Sequence, residues 1–240
     1  MKELGLRKYL LFLLLALNSV ISIAQDDTLA IDLMNADEII PRQRIYYQFT
    51  PRLYITVPHP LSNAAFKKTF VGIYEVNAGL NLGFYKNFFA GVTYKNNLLK
   101  ITQKKIPNYN ASMSMNSAAI KAGSDFYLNE KNTVLFSVAL SAGQNSTKYS
   151  SLICKDPAKQ PAITEFKSTY YEPEASFFFF TESNFAFGFI ATYSIIKRTF
   201  DPYELCLNEW SAYSKNNSGP TQYLSFGFGF YYGFFTRKSS

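Results

Sequence analysis

Arg52, Glu75, Lys95, Lys121, Glu172 and Glu174 stand inside stretches whose other residues are mostly apolar, aromatic or small. An isolated charge in such surroundings is costly, so these side chains are expected to pair. Three cations and three carboxylates could build a structural plug of ion pairs. The rival reading is a polar gate or a proton-conducting site. Asp125 is a further charge of the same kind, nearer the end of its stretch and expected to meet water.

Other residues offer less chemistry. Cys154 and Cys206 are the only cysteines, each in a long polar stretch between apolar ones. In an oxidising compartment they could form a disulfide clamping two loops, with free thiols or intermolecular pairing as alternatives. Two cysteines and one distant histidine fall short of a metal ligand set, and no metal or cofactor is expected. That histidine, His59, has Ser62 as its nearest hydroxyl and no acid in the same stretch, so a loop histidine without a catalytic role is expected. The chain has no nucleophile elbow, phosphate-cradling loop or dinucleotide fingerprint. Lys67, Lys68, Lys100, Lys104 and Lys105 fall in two connecting stretches that contain no Asp or Glu. They could form a cationic rim that steers or holds an anion, or a plain solvated surface. No compact basic and aromatic groove suggests a nucleic acid.

The elements that position these residues are strands. Beyond Gln43 the chain alternates with a period of two, the strand signal. Eight runs are marked: Ile45–Val57, Val71–Phe84, Phe88–Asn97, Met113–Tyr127, Val134–Gln144, Phe166–Phe180, Phe185–Phe200 and Gln222–Phe235. In the last, Leu224, Phe226, Phe228, Phe230, Tyr232 and Phe234 alternate with Ser225, Gly227, Gly229, Tyr231 and Gly233. One face is bulky and apolar, the other mostly small or polar, which defines two surfaces in different solvents. The six charged residues share the second face. Pro51 and Pro173 fall on the first, inside assigned strands, where bulges or shorter strands are expected.

The connections alternate as well. Tyr85-Lys86-Asn87, Leu128 to Thr133 and Thr181 to Asn184 are short; His59–Phe70, Leu98–Ser112, Asn145–Glu165 and Asp201–Thr221 are long. Aromatics gather near the short turns, among them Phe84, Tyr85, Phe88, Phe89, Phe179, Phe180 and Phe185. A second group, including Tyr54, Tyr74, Tyr94, Tyr170, Tyr171, Tyr193 and Tyr223, lies toward the long connections. Amphipathic rings favour a membrane–water interface, so two belts are expected.

Composition sets the outer bounds. The chain has 240 residues, 48% hydrophobic, 18% aromatic and 17% charged, with a formal charge of +7. That excludes intrinsic disorder. After residue 24 no apolar run reaches the roughly 18–20 residues of a spanning helix. Lys2, Arg7 and Lys8, the apolar stretch Tyr9 to Leu17 and the small residues of Ser22-Ile23-Ala24 read as a secretory signal peptide over residues 1–24. Residues 25–43 form a polar lead, expected in the periplasm, and residues 44–240 the folded domain.

Strand number, alternation and loop asymmetry resemble the small eight-stranded outer-membrane barrels of Gram-negative bacteria, the OmpA/OmpX-like proteins. Gly229, Tyr232 and Phe234 are similar in spacing to the assembly signal in their last strand. The resemblance implies an eight-stranded antiparallel up-and-down transmembrane β-barrel with periplasmic termini. It also implies a salt-bridged interior, insertion by the barrel-assembly machinery, and contact of the cationic rim with lipopolysaccharide phosphates. A non-enzymatic structural or surface-interaction role follows. The alternatives are a narrow channel or transporter, a lipid-modifying barrel enzyme relying on His59, and a soluble lipocalin-like cup with its apolar residues turned inward.

Overall fold

The computed structural model describes residues 45–101, 111–129, 132–150, 165–181, 184–205 and 219–238. The segments expected to be a signal peptide (1–24) and a polar lead (25–43) lie outside the described residues. The strands are β1 (Ile45–Pro60), β2 (Phe70–Tyr85), β3 (Phe88–Ile101), β4 (Ser112–Tyr127), β5 (Val134–Ser150), β6 (Glu165–Phe180), β7 (Phe185–Ile196), β8 (Thr221–Tyr232) and β9 (Phe234–Lys238). A short helix, α1 (Ala64–Thr69), lies between β1 and β2, and a 3-10 turn (Pro202–Leu205) follows β7.

Each strand from β1 to β8 pairs antiparallel with its neighbours in the chain. Both β8 and β9 pair with β1 in one continuous register, so they form a single eighth stave broken at Gly233. The barrel is therefore closed, with eight staves in up-and-down order. Closure leaves no sheet edge, the condition for strands in hydrocarbon. The break at Gly233 is local: a Cβ there would run into the Tyr47 ring, and the Gly233 amide donates to the Asn184 carbonyl at 2.8 Å.

The two faces differ as the alternation requires. Leu53, Ile55, Leu80, Leu82, Val92, Ile120, Leu140, Phe177, Phe189, Phe226 and Phe228 are exposed on the outer wall. Thr50, Thr56, Asn77, Asn81, Thr93, Ser117, Ser137, Ser141, Ser176, Thr192 and Ser225 are buried inside. An apolar outer wall of this extent suits lipid. The soluble-cup alternative needs the opposite polarity and does not hold. Tyr54, Tyr170, Tyr223 and Phe89, counted with the aromatic belts, are buried in the interior, because their parity matches the inward face.

Several boundaries shift. β1, β3 and β5 run on to Pro60, Ile101 and Ser150, so His59 and Lys100 are strand residues, whereas β7 stops at Ile196 instead of Phe200. In β5 the added residues are mostly polar, whereas in β3 Leu98, Leu99 and Ile101 put apolar residues on both faces; either pattern hides the alternation, yet the ladder continues through Leu98↔Ser114 and Thr147↔Phe166. The prolines produce no bulge and no shortened strand. Pro51 pairs with Leu80, and Pro173 with Leu140. On the other side the ladder passes from Phe49↔Phe234 to Arg52↔Tyr231, and from Tyr171↔Ile195 to Glu174↔Thr192, with no change of register. Each proline thus lies in a one-sided gap, which forfeits local hydrogen bonding without offsetting the chain. The register shifts of the β2–β3 pair lie between Gly72 and Tyr74 and between Gly83 and Tyr85.

Candidate functional site

The interior is filled in three layers. At the short-turn end Tyr54, Leu135, Phe178, Ala186, Ile190 and Tyr231 form an apolar cluster joined by Tyr47, Tyr127 and Phe180. At the long-loop end Phe66, Phe70, Leu99, Met113, Met115, Tyr149, Ile196, Phe200 and Leu205 form another. The helix α1 supplies Phe66, whose ring lies 5.6 Å from Phe70 and 6.0 Å from Phe200. Asn63 caps α1 by accepting from the Ala65 and Phe66 amides, and its own amide donates to the Phe200 carbonyl at 3.1 Å.

The charged residues run from the short-turn cluster, where Arg52 lies against Phe89, Phe178 and Tyr231, up to the middle of the barrel. All six named from the sequence are buried, and the structure brings them into paired groups. Arg52 donates to both Asp125 oxygens at 2.8 and 2.6 Å and to Ser137 Oγ at 2.8 Å. Its guanidinium lies 4.6 Å from the Phe89 ring and 5.0 Å from the Tyr231 ring. Lys121 meets Glu174 at 2.5 Å, and the Tyr54 hydroxyl donates to the other Glu174 oxygen at 2.9 Å. Gly229 leaves room for that Tyr54 ring: a Cβ there would stand 2.8 Å from it. Lys95 lies between Glu172 and Glu75, the latter at 3.2 Å, and also donates to Ser194. Thr56 donates to Glu75 at 2.9 Å, and Ser194 to Glu172.

Asp125 adds to the sequence reading. Its side chain is 17% exposed, so it does reach toward water, but its partner is Arg52. Its parity with Lys121 on β4 was the signal that it belongs to the cluster. With it, the paired interior charges among the described residues are three cations and four carboxylates.

The other named residues are dispersed. Lys67 and Lys68 are exposed in the last turn of α1, and Lys100 is exposed on β3 opposite Val71. Lys104, Lys105, Cys154 and Cys206 lie outside the described residues. His59 is exposed on the outer wall, its ring 6.5 Å from Phe226, while the Ser62 hydroxyl donates to the Pro220 carbonyl. Among the described residues no hydrogen bond or ion pair joins His59 to a carboxylate, and no group of three or more His, Cys, Asp or Glu could hold a metal ion. Sequence reasoning missed α1 and the apolar layer it completes.

A closed antiparallel barrel of eight staves, with an ion-paired interior and a lipid-suited outer wall, has the fold of the small eight-stranded outer-membrane barrels. Among solved structures it is similar to Neisserial surface protein A, at 11% identity and a TM-score of 0.51, over 80% of this chain and 99% of that one. Looser likenesses are the outer membrane protein OprG from Pseudomonas aeruginosa (13% identity, TM-score 0.46, 80% and 99% covered) and the attachment invasion locus protein Ail of Yersinia pestis (14%, 0.42, 77% and 97%), the latter solved with the heparin analogue sucrose octasulfate. No protein-family model and no curated protein matches the chain.

Proposed function

We propose that the protein resides in the bacterial outer membrane, with periplasmic termini and its long loops at the cell surface. Its role there is structural or one of surface interaction through those loops, without a reaction of its own. The barrel-assembly machinery inserts it, reading Gly229, Tyr232 and Phe234. The observation that carries this reading is the polarity of the closed barrel: an apolar outer wall surrounds an interior whose described charges are ion-paired and whose two ends carry apolar clusters.

Two measurements test it. Protein extracted from outer-membrane fractions should migrate differently in SDS gels before and after boiling, because a folded barrel resists SDS. In planar bilayers it should carry no steady current. A steady current that changes in Lys121→Met or Glu172→Gln protein would replace this reading with the narrow channel. Recovery of the protein from the soluble periplasm would remove the membrane role altogether.

A further inference from the structure

The charges inside the barrel do not balance. Among the described residues Arg52, Lys95 and Lys121 are paired with Asp125, Glu75, Glu172 and Glu174. Two of the cations have a carboxylate each. Arg52 holds Asp125, which reaches toward water. Lys121 holds Glu174, which also accepts from the Tyr54 hydroxyl on β1. That leaves Lys95 with both Glu75 and Glu172, and all three side chains are 1% exposed or less. Counted as ions, these three carry one uncompensated negative charge in a dry site. Carboxylates that share such a site do not both stay ionised, because an uncompensated buried charge costs more than taking up a proton.

The surrounding strands bring no further cation to the site. Tyr170 on β6 and Tyr223 on β8 place their rings 5.5 and 5.6 Å from the Lys95 ammonium. From β7 the neighbour is Ser194, and from β5 it is Ser141, the register partner of Glu172 on one side and of Lys121 on the other.

The hydrogen bonds mark where a positive charge is missing. Glu75 has a donor on each oxygen: Thr56 and Lys95 on Oε1, the Asn97 amide on Oε2. Glu172 is one-sided. Its Oε2 accepts from both Lys95 and Ser194, while its Oε1 has no hydrogen-bond partner. Across the ladder the buried Ser141 hydroxyl has no partner either. A hydrogen on Glu172 Oε1 makes that oxygen a donor and gives Ser141 Oγ a bond to accept.

We propose that the Glu75–Lys95–Glu172 triad is a proton-binding site: its two carboxyl groups share one proton, which bonds to Ser141 when it is on Glu172. The proton belongs to the pair rather than to either residue. With it, three cations in the interior face three carboxylates.

Such a site couples folding to pH. Both glutamates are ionised in the unfolded chain above about pH 5, so the folded barrel binds one proton more than the unfolded chain does. Stability therefore falls as pH rises from there, about tenfold in the folding equilibrium per pH unit, until the folded triad releases its proton.

The experiment uses the full protein folded in detergent micelles. At neutral pH its infrared spectrum should show the carbonyl band of a protonated carboxylic acid, and Glu75→Gln and Glu172→Gln should each remove it. Between about pH 6 and 8 the urea midpoint of the parent should fall with rising pH, and the slopes of both glutamine variants should be shallower by one proton. Other groups that titrate in this range cancel in that difference. Glu165→Gln, at an exposed position on β6, should keep the band and the slope of the parent. The band in the parent needs no variant, so the test stands if a glutamine variant fails to fold. A folded parent without the band overturns the proposal. So does a parent slope equal to that of both glutamine variants. A parent midpoint flat in pH that rises with sodium or potassium, and does so less in the variants, also overturns it, since a monovalent cation then supplies the missing charge.

Discussion

Arg52 and Lys95 are both cations shut inside the barrel, yet they are held in opposite ways. Arg52 has one carboxylate, bound through two hydrogen bonds and partly wet, and spreads its charge over Phe89 and Tyr231. Lys95 has no comparable fork and is compensated by two dry carboxylates, Glu75 and Glu172. A planar guanidinium can divide its charge among one carboxylate, a hydroxyl and flat rings, whereas a compact ammonium must be surrounded by acceptors. The end near the turns can therefore tolerate loss of a carboxylate better than the middle can tolerate loss of a lysine.

That contrast predicts a ranking. Lys95→Met should be the most damaging single change, because it leaves Glu75 and Glu172 buried together without a cation. A loss of about 3–5 kcal/mol is expected, read as a lower urea midpoint in detergent. Replacing all three residues with neutral isosteres, Lys95→Met with Glu75→Gln and Glu172→Gln, should restore most of it, and failure to do so would mean the packing, not the charge, was lost. Arg52→Lys should fall lower, at about 1–2 kcal/mol, since charge is kept while the fork and the ring stacking are lost. A loss as large as that of Lys95→Met would erase the contrast. Asp125→Asn should be smallest, near 1 kcal/mol, because the site is partly solvated and an amide oxygen can still accept from Arg52.

The sequence made the parity of these residues legible but not their partners. Alternation alone put Arg52, Glu75, Lys95, Lys121, Glu172 and Glu174 on one face. Which strand meets which across the interior follows from the tilt and stagger of the closed barrel, a global property that no local pattern carries. The partner of Asp125 is hidden for that reason: its closeness to the turn and to water is visible in the sequence, while the reach of Arg52 from β1 is not. The helix α1 was illegible because six residues are too few to show a helical period. The upper ends of β3 (Leu98, Leu99, Lys100, Ile101) and β5 (polar but for Tyr149) read as loop because the alternation fades there, although pairing does not. The likeness to the outer-membrane barrels rested on layout, and the closed topology supports it through the β1–β8 pairing, which joins residues at opposite ends of the folded domain.

The cross-barrel ion pairs also bear on assembly. Arg52 on β1 meets Asp125 on β4, Lys95 on β3 meets Glu172 on β6, and Lys121 on β4 meets Glu174 on β6. None of these three joins strands adjacent in the sheet. A sheet without β6 would leave Lys121 without Glu174 and Lys95 with Glu75 alone. The buried charges therefore tie β1, β3, β4 and β6 to one another across the lumen, so that removing any one of these staves strips another of its partner.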